Sequence, residues 1–121
     1  MFKVIFALSL FISSHAFADA IWSDGDTKRE AAFLGLLAAD CNQTMQQAKN
    51  GWANFTEQNP ILGEKPSVNR VRNYCIASAV THYAIARTLD DKWRKRFQNV
   101  TIGIEVGVEV RWIHYGVGVK F

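Results

Sequence analysis

Three scarcities narrow this sequence before any motif is read: its 121 residues hold two prolines, two cysteines and an excess of only three positive charges. So close a charge balance excludes the broad basic surface that holds nucleic acid, and no nucleic acid is expected as a partner. The few histidines and cysteines are scattered, with His82 and His114 far apart and no Cys/His/Glu spacing of the kind a metal needs, so neither metal nor cofactor is expected. No serine or cysteine stands in a recognisable nucleophile motif. A long apolar run is missing too: the best, Val4 to Ile12, is too short to span a bilayer.

That run instead completes a secretory signal peptide. Lys3 supplies the charged start, and Ala16 and Ala18 place small residues where a signal peptidase cuts, so residues 1–18 are expected to be removed. The mature chain, residues 19–121, is long enough for one small domain with a modest core. Its expected place is the periplasm or the periplasmic face of the inner membrane. In such an oxidising compartment Cys41 and Cys75 can pair, and only one intramolecular pairing exists.

Periodicity predicts three helices. Thr27-Lys28-Arg29-Glu30 has capping-box spacing, and Ala31, Leu34, Leu37, Ala38, Cys41, Met45 and Ala48 recur at helical steps until Asn50-Gly51. Phe33, Leu36, Asp40 and Thr44 form a neighbouring stripe. A second helix, about 68–89, is capped by Ser67, with an inner face of Val68, Val71, Cys75, Ala79, His82, Ile85, Ala86 and Leu89. Asp90-Asp91 caps a third, with Trp93, Phe97, Val100, Ile104 and Val108 at core spacing; the basic run Lys92 to Phe97 could touch anionic headgroups or phosphates, but such a run is more often the solvated face of a helix. From Thr101 the pattern is contested, because β-branched residues also alternate strictly. The fold expected is therefore all-α, an antiparallel bundle of about three helices with residues 113–121 extended. The alternative is α+β with a C-terminal hairpin from about residue 101.

Both prolines fall in one connector, Glu57 to Ser67, where adjacent Ile61 and Leu62 make sense only if the loop folds back to bury them. Asn59, Pro60, Ile61, Leu62 and Gly63 are read as a structural clasp, with Asp40, Thr44 and Glu57 offering polar partners to its irregular backbone. Cys41 and Cys75, on the inner stripes of the first two helices, are expected to join across it. His82 and Glu105 are candidates for a polar core. A His82–carboxylate pair could serve as a general base, yet a lone histidine on an inner face is more often a hydrogen-bonded core residue, so no catalytic residue is assigned. Gly103 and Gly107 have spacing suited to close helix approach or to strand bends.

The runs Asp26-Thr27-Lys28-Arg29-Glu30-Ala31-Ala32, Asp40-Cys41-Asn42-Gln43-Thr44, Glu57-Gln58-Asn59-Pro60-Ile61-Leu62-Gly63 with Pro66-Ser67, and Ile102-Gly103-Ile104-Glu105, with Val71 and Tyr74, together resemble a family of small exported proteins of proteobacterial genomes and prophages, of unassigned function. The resemblance implies helix from Thr27 through at least Glu105. Two places depart from the family pattern: aromatics more usually stand at Cys41 and Cys75, and a His-Asn pair often stands at Arg111-Trp112. The function expected is that of an exported envelope protein of binding or structural type, its partner an envelope protein or a membrane surface. A small inner-membrane-associated helical protein is the second reading, and an enzyme using His82 the third.

Overall fold

The computed structural model describes residues 21–121, so the predicted signal peptide lies outside the described residues. Three helices succeed one another, α1 (Asp24–Lys49), α2 (Val68–Thr88) and α3 (Asp91–His114), with no strand among the described residues. The contested segment after Thr101 is therefore helix. Alternation could not prevail there because its inward positions, Thr101, Glu105 and Val108, fit the 3.6-residue period.

Helix α1 starts one turn before the expected box. Ser23 accepts from the Asp26 amide and Asp26 accepts from the Ser23 amide, at 3.1 and 2.9 Å. Either hydroxyl–acid pair could cap, but the earlier one leaves Glu30 free for interactions inside the bundle. At the other end Asn50 caps as read, and Gly51 and Trp52 turn the chain away with φ of 65° and 56°. A tryptophan in the left-handed region is strained. It is held there because its ring is buried and its indole N–H donates to the Pro66 carbonyl at 2.9 Å.

The inner seams are regular, but they are not the apolar stripes predicted. On α1 the seam is Asp26, Glu30, Phe33, Leu37, Asp40, Thr44 and Gln47, at alternating steps of four and three. Ala31, Leu34 and Ala38 face outward. On α3 it is Arg94, Gln98, Thr101, Glu105, Val108 and Trp112, while Trp93, Val100 and Ile104 are exposed. Only α2 keeps an inner face close to expectation, with Val71, His82, Ala86 and Leu89 buried. Such seams are the geometry of near-aligned helices.

Cross-links fix the directions. Cys41 joins Cys75, with Cα atoms 6.2 Å apart, and Glu30 meets His82, so α2 runs antiparallel to α1. Asp26 meets Arg94 and Asp40 meets Trp112, so α3 runs parallel to α1. Helix α1 packs along both neighbours, whereas α2 and α3 meet mainly where α2 ends and α3 begins, through Arg94 and His82. Helix α3 takes in Ile113 and His114, so the C-terminal segment expected from residue 113 starts later: Gly116 turns the chain with φ of 78° and residues 117–120 run without regular secondary structure beside α1. Gln43, Gln46 and Asn42 donate to the carbonyls of Val117, Gly118 and Lys120, which explains the polar second half of α1.

Candidate functional site

Because α2 and α3 diverge above α1, they leave a groove of about 790 Å³. Phe33, Leu37 and Asp40 of α1 lie among its lining, with Ser78 and Thr81 from α2 and Ile104 and Glu105 from α3. The volume falls within the range of ligand-sized pockets. The proline loop closes one end with Asn59, Ile61 and Leu62.

The loop holds itself more than the helices hold it. Glu57 accepts from the amides of Gln58 and Asn59, the Asn59 carbonyl accepts from Leu62 and Gly63, and Gly63 takes a φ of 83° that only glycine enters freely. Leu62 is buried, but Ile61 stands half exposed, which corrects the expectation that both pack inside. Pro60 lies on the outside. The Asn59 amide donates to the Tyr74 hydroxyl at 2.7 Å and does not meet Asp40 or Thr44. Asp40 instead accepts from the Trp112 indole at 3.0 Å and from Thr44 at 3.4 Å, because both donors lie nearer on the helix surface than any loop amide.

Below the other end of the groove lies a buried network that spacing alone did not reveal. Arg94, completely buried, donates to Asp26 at 2.8 Å, to the Ala86 and Leu89 carbonyls that end α2, and to the Ile21 carbonyl. It thus ties α1 and α2 to the start of α3. Arg29 also pairs with Asp26 and donates to Gln98, whose amide donates to Glu30 at 3.0 Å. Burial pushes the Asp26 carboxyl up, but the Ser23 and Arg94 hydrogen bonds and the Arg94 charge outweigh it and hold the carboxyl below its ordinary value. Lys92, Lys95 and Arg96 are solvated as expected; Arg94, in the middle of that run, is not.

His82 completes this network. Its Nδ1 meets Glu30 and its Nε2 meets Thr101, each at 2.8 Å, and the ring is stacked between Phe33 and Phe97. Facing an acceptor-only carboxylate, Nδ1 carries the proton. Neither ring nitrogen is left for a substrate.

Glu105, the other polar-core candidate, sits in a different cluster with Asp40 and Glu109. Burial, and then Asp40 beside it, push Glu105 up to about 8. Burial also pushes Glu109 up, with the Asp40 charge adding and a hydrogen bond from Gln43 opposing. Among the described residues one oxygen of Glu105 and one of Glu109 have no hydrogen-bond partner, and no cation pairs with the three acids. Nor, among the described residues, is any group of three or more His, Cys, Asp or Glu placed to hold a metal ion. The glycines 103 and 107 face open space, so their spacing serves no helix contact among the described residues.

No family model, no curated protein and no solved structure matches this chain.

Proposed function

We propose that the protein is an exported envelope protein of the binding type, and that the groove between α2 and α3 is its binding surface. The observation that carries this reading is the divergence of the two helices, which leaves a ligand-sized, largely apolar cleft with polar groups at intervals. The Cys41–Cys75 disulfide supports an oxidising compartment. His82 argues for binding over catalysis, since both its ring nitrogens are spent on Glu30 and Thr101.

The test is site-specific photocrosslinking in intact cells. A photoreactive residue at Thr81 or Val108, in the groove, is expected to give a defined crosslinked product, and one at Ala32, on the outer face of α1, is not. Filling the groove with Ser78→Trp should abolish the product. Equal labelling at all three positions, or none, would overturn the reading.

A further inference from the structure

The third helix is built inside out. Between Arg96 and Arg111 its two charged residues, Glu105 and Glu109, turn inward to the Asp40 cluster. Its aliphatics go the other way: Val100, Ile104, Val106, Val110 and Ile113 are each between 45 % and 67 % exposed. At 100° per residue these five side chains spread over about half the helix circumference. The stretch without outward charge, residues 97–110, is about 21 Å long. No other described part of the chain covers it. Exposed aliphatics scattered singly are ordinary, whereas a contiguous face with acids withdrawn beneath it marks an interaction surface.

Charge says what covers the face. At the start of the same helix Lys92, Lys95 and Arg96 are exposed, and Trp93, half exposed, lies between Lys92 and Arg96, both of which rest over its ring. Arg111 lies at the far end. Apolar length bordered by cations and an amphipathic aromatic matches the boundary between acyl chains and anionic headgroups, where such a helix lies flat. None of the described helices is long and apolar enough to cross a membrane.

We propose that α3 is a docking face for an anionic lipid bilayer, with Val100, Val106, Val110 and Ile113 among the acyl chains, Ile104 at the edge shared with the groove, and Lys92, Lys95 and Arg96 on the headgroups. The bundle lies on its side, and α1 and the disulfide face away from the lipid. This goes beyond the groove reading and stands or falls separately, because Thr81 and Val108 report on the groove whereas Val106, Val110 and the basic cluster report on the outer face.

The test is flotation of the purified exported protein with vesicles of mixed phosphatidylethanolamine and phosphatidylglycerol, beside vesicles of phosphatidylcholine alone. Wild-type protein should float with the anionic vesicles, and its tryptophan fluorescence should be quenched by brominated acyl chains, an effect that Trp93→Phe should remove. Val106→Glu should reduce the floated fraction at least tenfold with helical circular dichroism unchanged; Val110→Gln, a milder change at a second site, should reduce it several-fold. Replacing Lys92, Lys95 and Arg96 by glutamine should abolish the preference for anionic vesicles. Wild-type protein that stays unfloated would overturn the proposal. So would a solution dimer that Val106→Glu dissociates and that never floats, for then the face belongs to a second copy.

Discussion

At the end of the bundle where α1 and α3 begin, two buried carboxylates, Asp26 and Glu30, meet Arg94, Arg29, Gln98 and His82. Toward the other end three acids, Asp40, Glu105 and Glu109, meet one another, an indole, a hydroxyl and an amide, but no cation. Both clusters occupy the same seams of the same two parallel helices. The first satisfies its groups, so it fixes which turn of α3 lies against which turn of α1. Among the described residues the second leaves acceptors unpaired and lifts the Glu105 carboxyl well above its ordinary value, so it stores a cost beside the open groove. One end supplies register. The other is where a change in pH or surroundings can be felt.

Breaking the paired end should have the largest effect. Arg94→Met removes the buried cation, leaves the last carbonyls of α2 buried and unpaired and leaves Asp26 to Arg29 and the Ser23 amide alone, which costs about 3–5 kcal/mol. Of a total stability of about 5–15 kcal/mol this is a large share. Urea unfolding should show the midpoint collapse, with Arg94→Lys intermediate because the charge remains but the planar fork does not. A variant that unfolds like the parent would mean that Arg94 does not hold the register.

Opening the disulfide should come next. The Cys41–Cys75 bond starts beside Asp40, at the level of the unpaired cluster, and spans 34 residues, for which chain entropy gives about 3–4 kcal/mol. The double Cys→Ser variant should lose about that much, and thermal melting without reductant should show it. Should the loss be confined to exchange of the proline-loop amides, the bond braces the loop alone and not the bundle.

Much of this architecture was legible. Ser67 and Asp90 cap α2 and α3 where spacing placed them, and the cysteines pair as the inner stripes allowed. What misled was polarity. The seam of α1 repeats at four and three residues from Asp26 to Gln47, but a search for apolar repeats passes over Asp26, Glu30, Gln43 and Gln47 and settles on Ala31 and Leu34 outside. The same error turned α3 over. A signal was present: Arg94, Gln98, Thr101 and Glu105 keep seam spacing, with acids in register on α1. Reading it needed knowledge of which helix faced which. The loop partners were not readable at all, since Tyr74 reaches Asn59 only through the path of the chain around Trp52 and Pro66.

Trp112→Phe sharpens the comparison from the unpaired side. It preserves ring volume and removes the one indole donor of Asp40, leaving Thr44 at 3.4 Å. Asp40 is only part-buried and keeps Thr44 and Glu105 beside it, so the loss should sit at the low end of the about 1–3 kcal/mol that an acceptor deprived of a partner costs, and the melting temperature should drop less than for Arg94→Met. If Trp112→Phe is neutral, Asp40 is served by water and the cluster is wetter than its packing implies.

The smallest effect is the most specific, because the two clusters titrate with opposite sign. Asp26 is held below its ordinary value, so its contribution is present above that value and is lost as pH falls through the lowered one. Glu105 is raised from 4.5 to about 8, so its folded form binds a proton that the unfolded chain releases. Stability from Glu105 is therefore full below about 4.5 and declines as pH rises from there to about 8, and the raised Glu109 adds in the same direction. The melting temperature should fall modestly across that window, since Glu105 is only half buried and solvent screens it. Glu105→Gln keeps a donor for Asp40 and cannot ionise, so it should flatten the decline and raise the melting temperature at pH 8 while leaving the acid limb, set by Asp26, where it was. A wild-type melting temperature that stays level or rises from pH 5 to pH 8 would show that the acids at this end find a cation or water, and the contrast between the two ends would disappear.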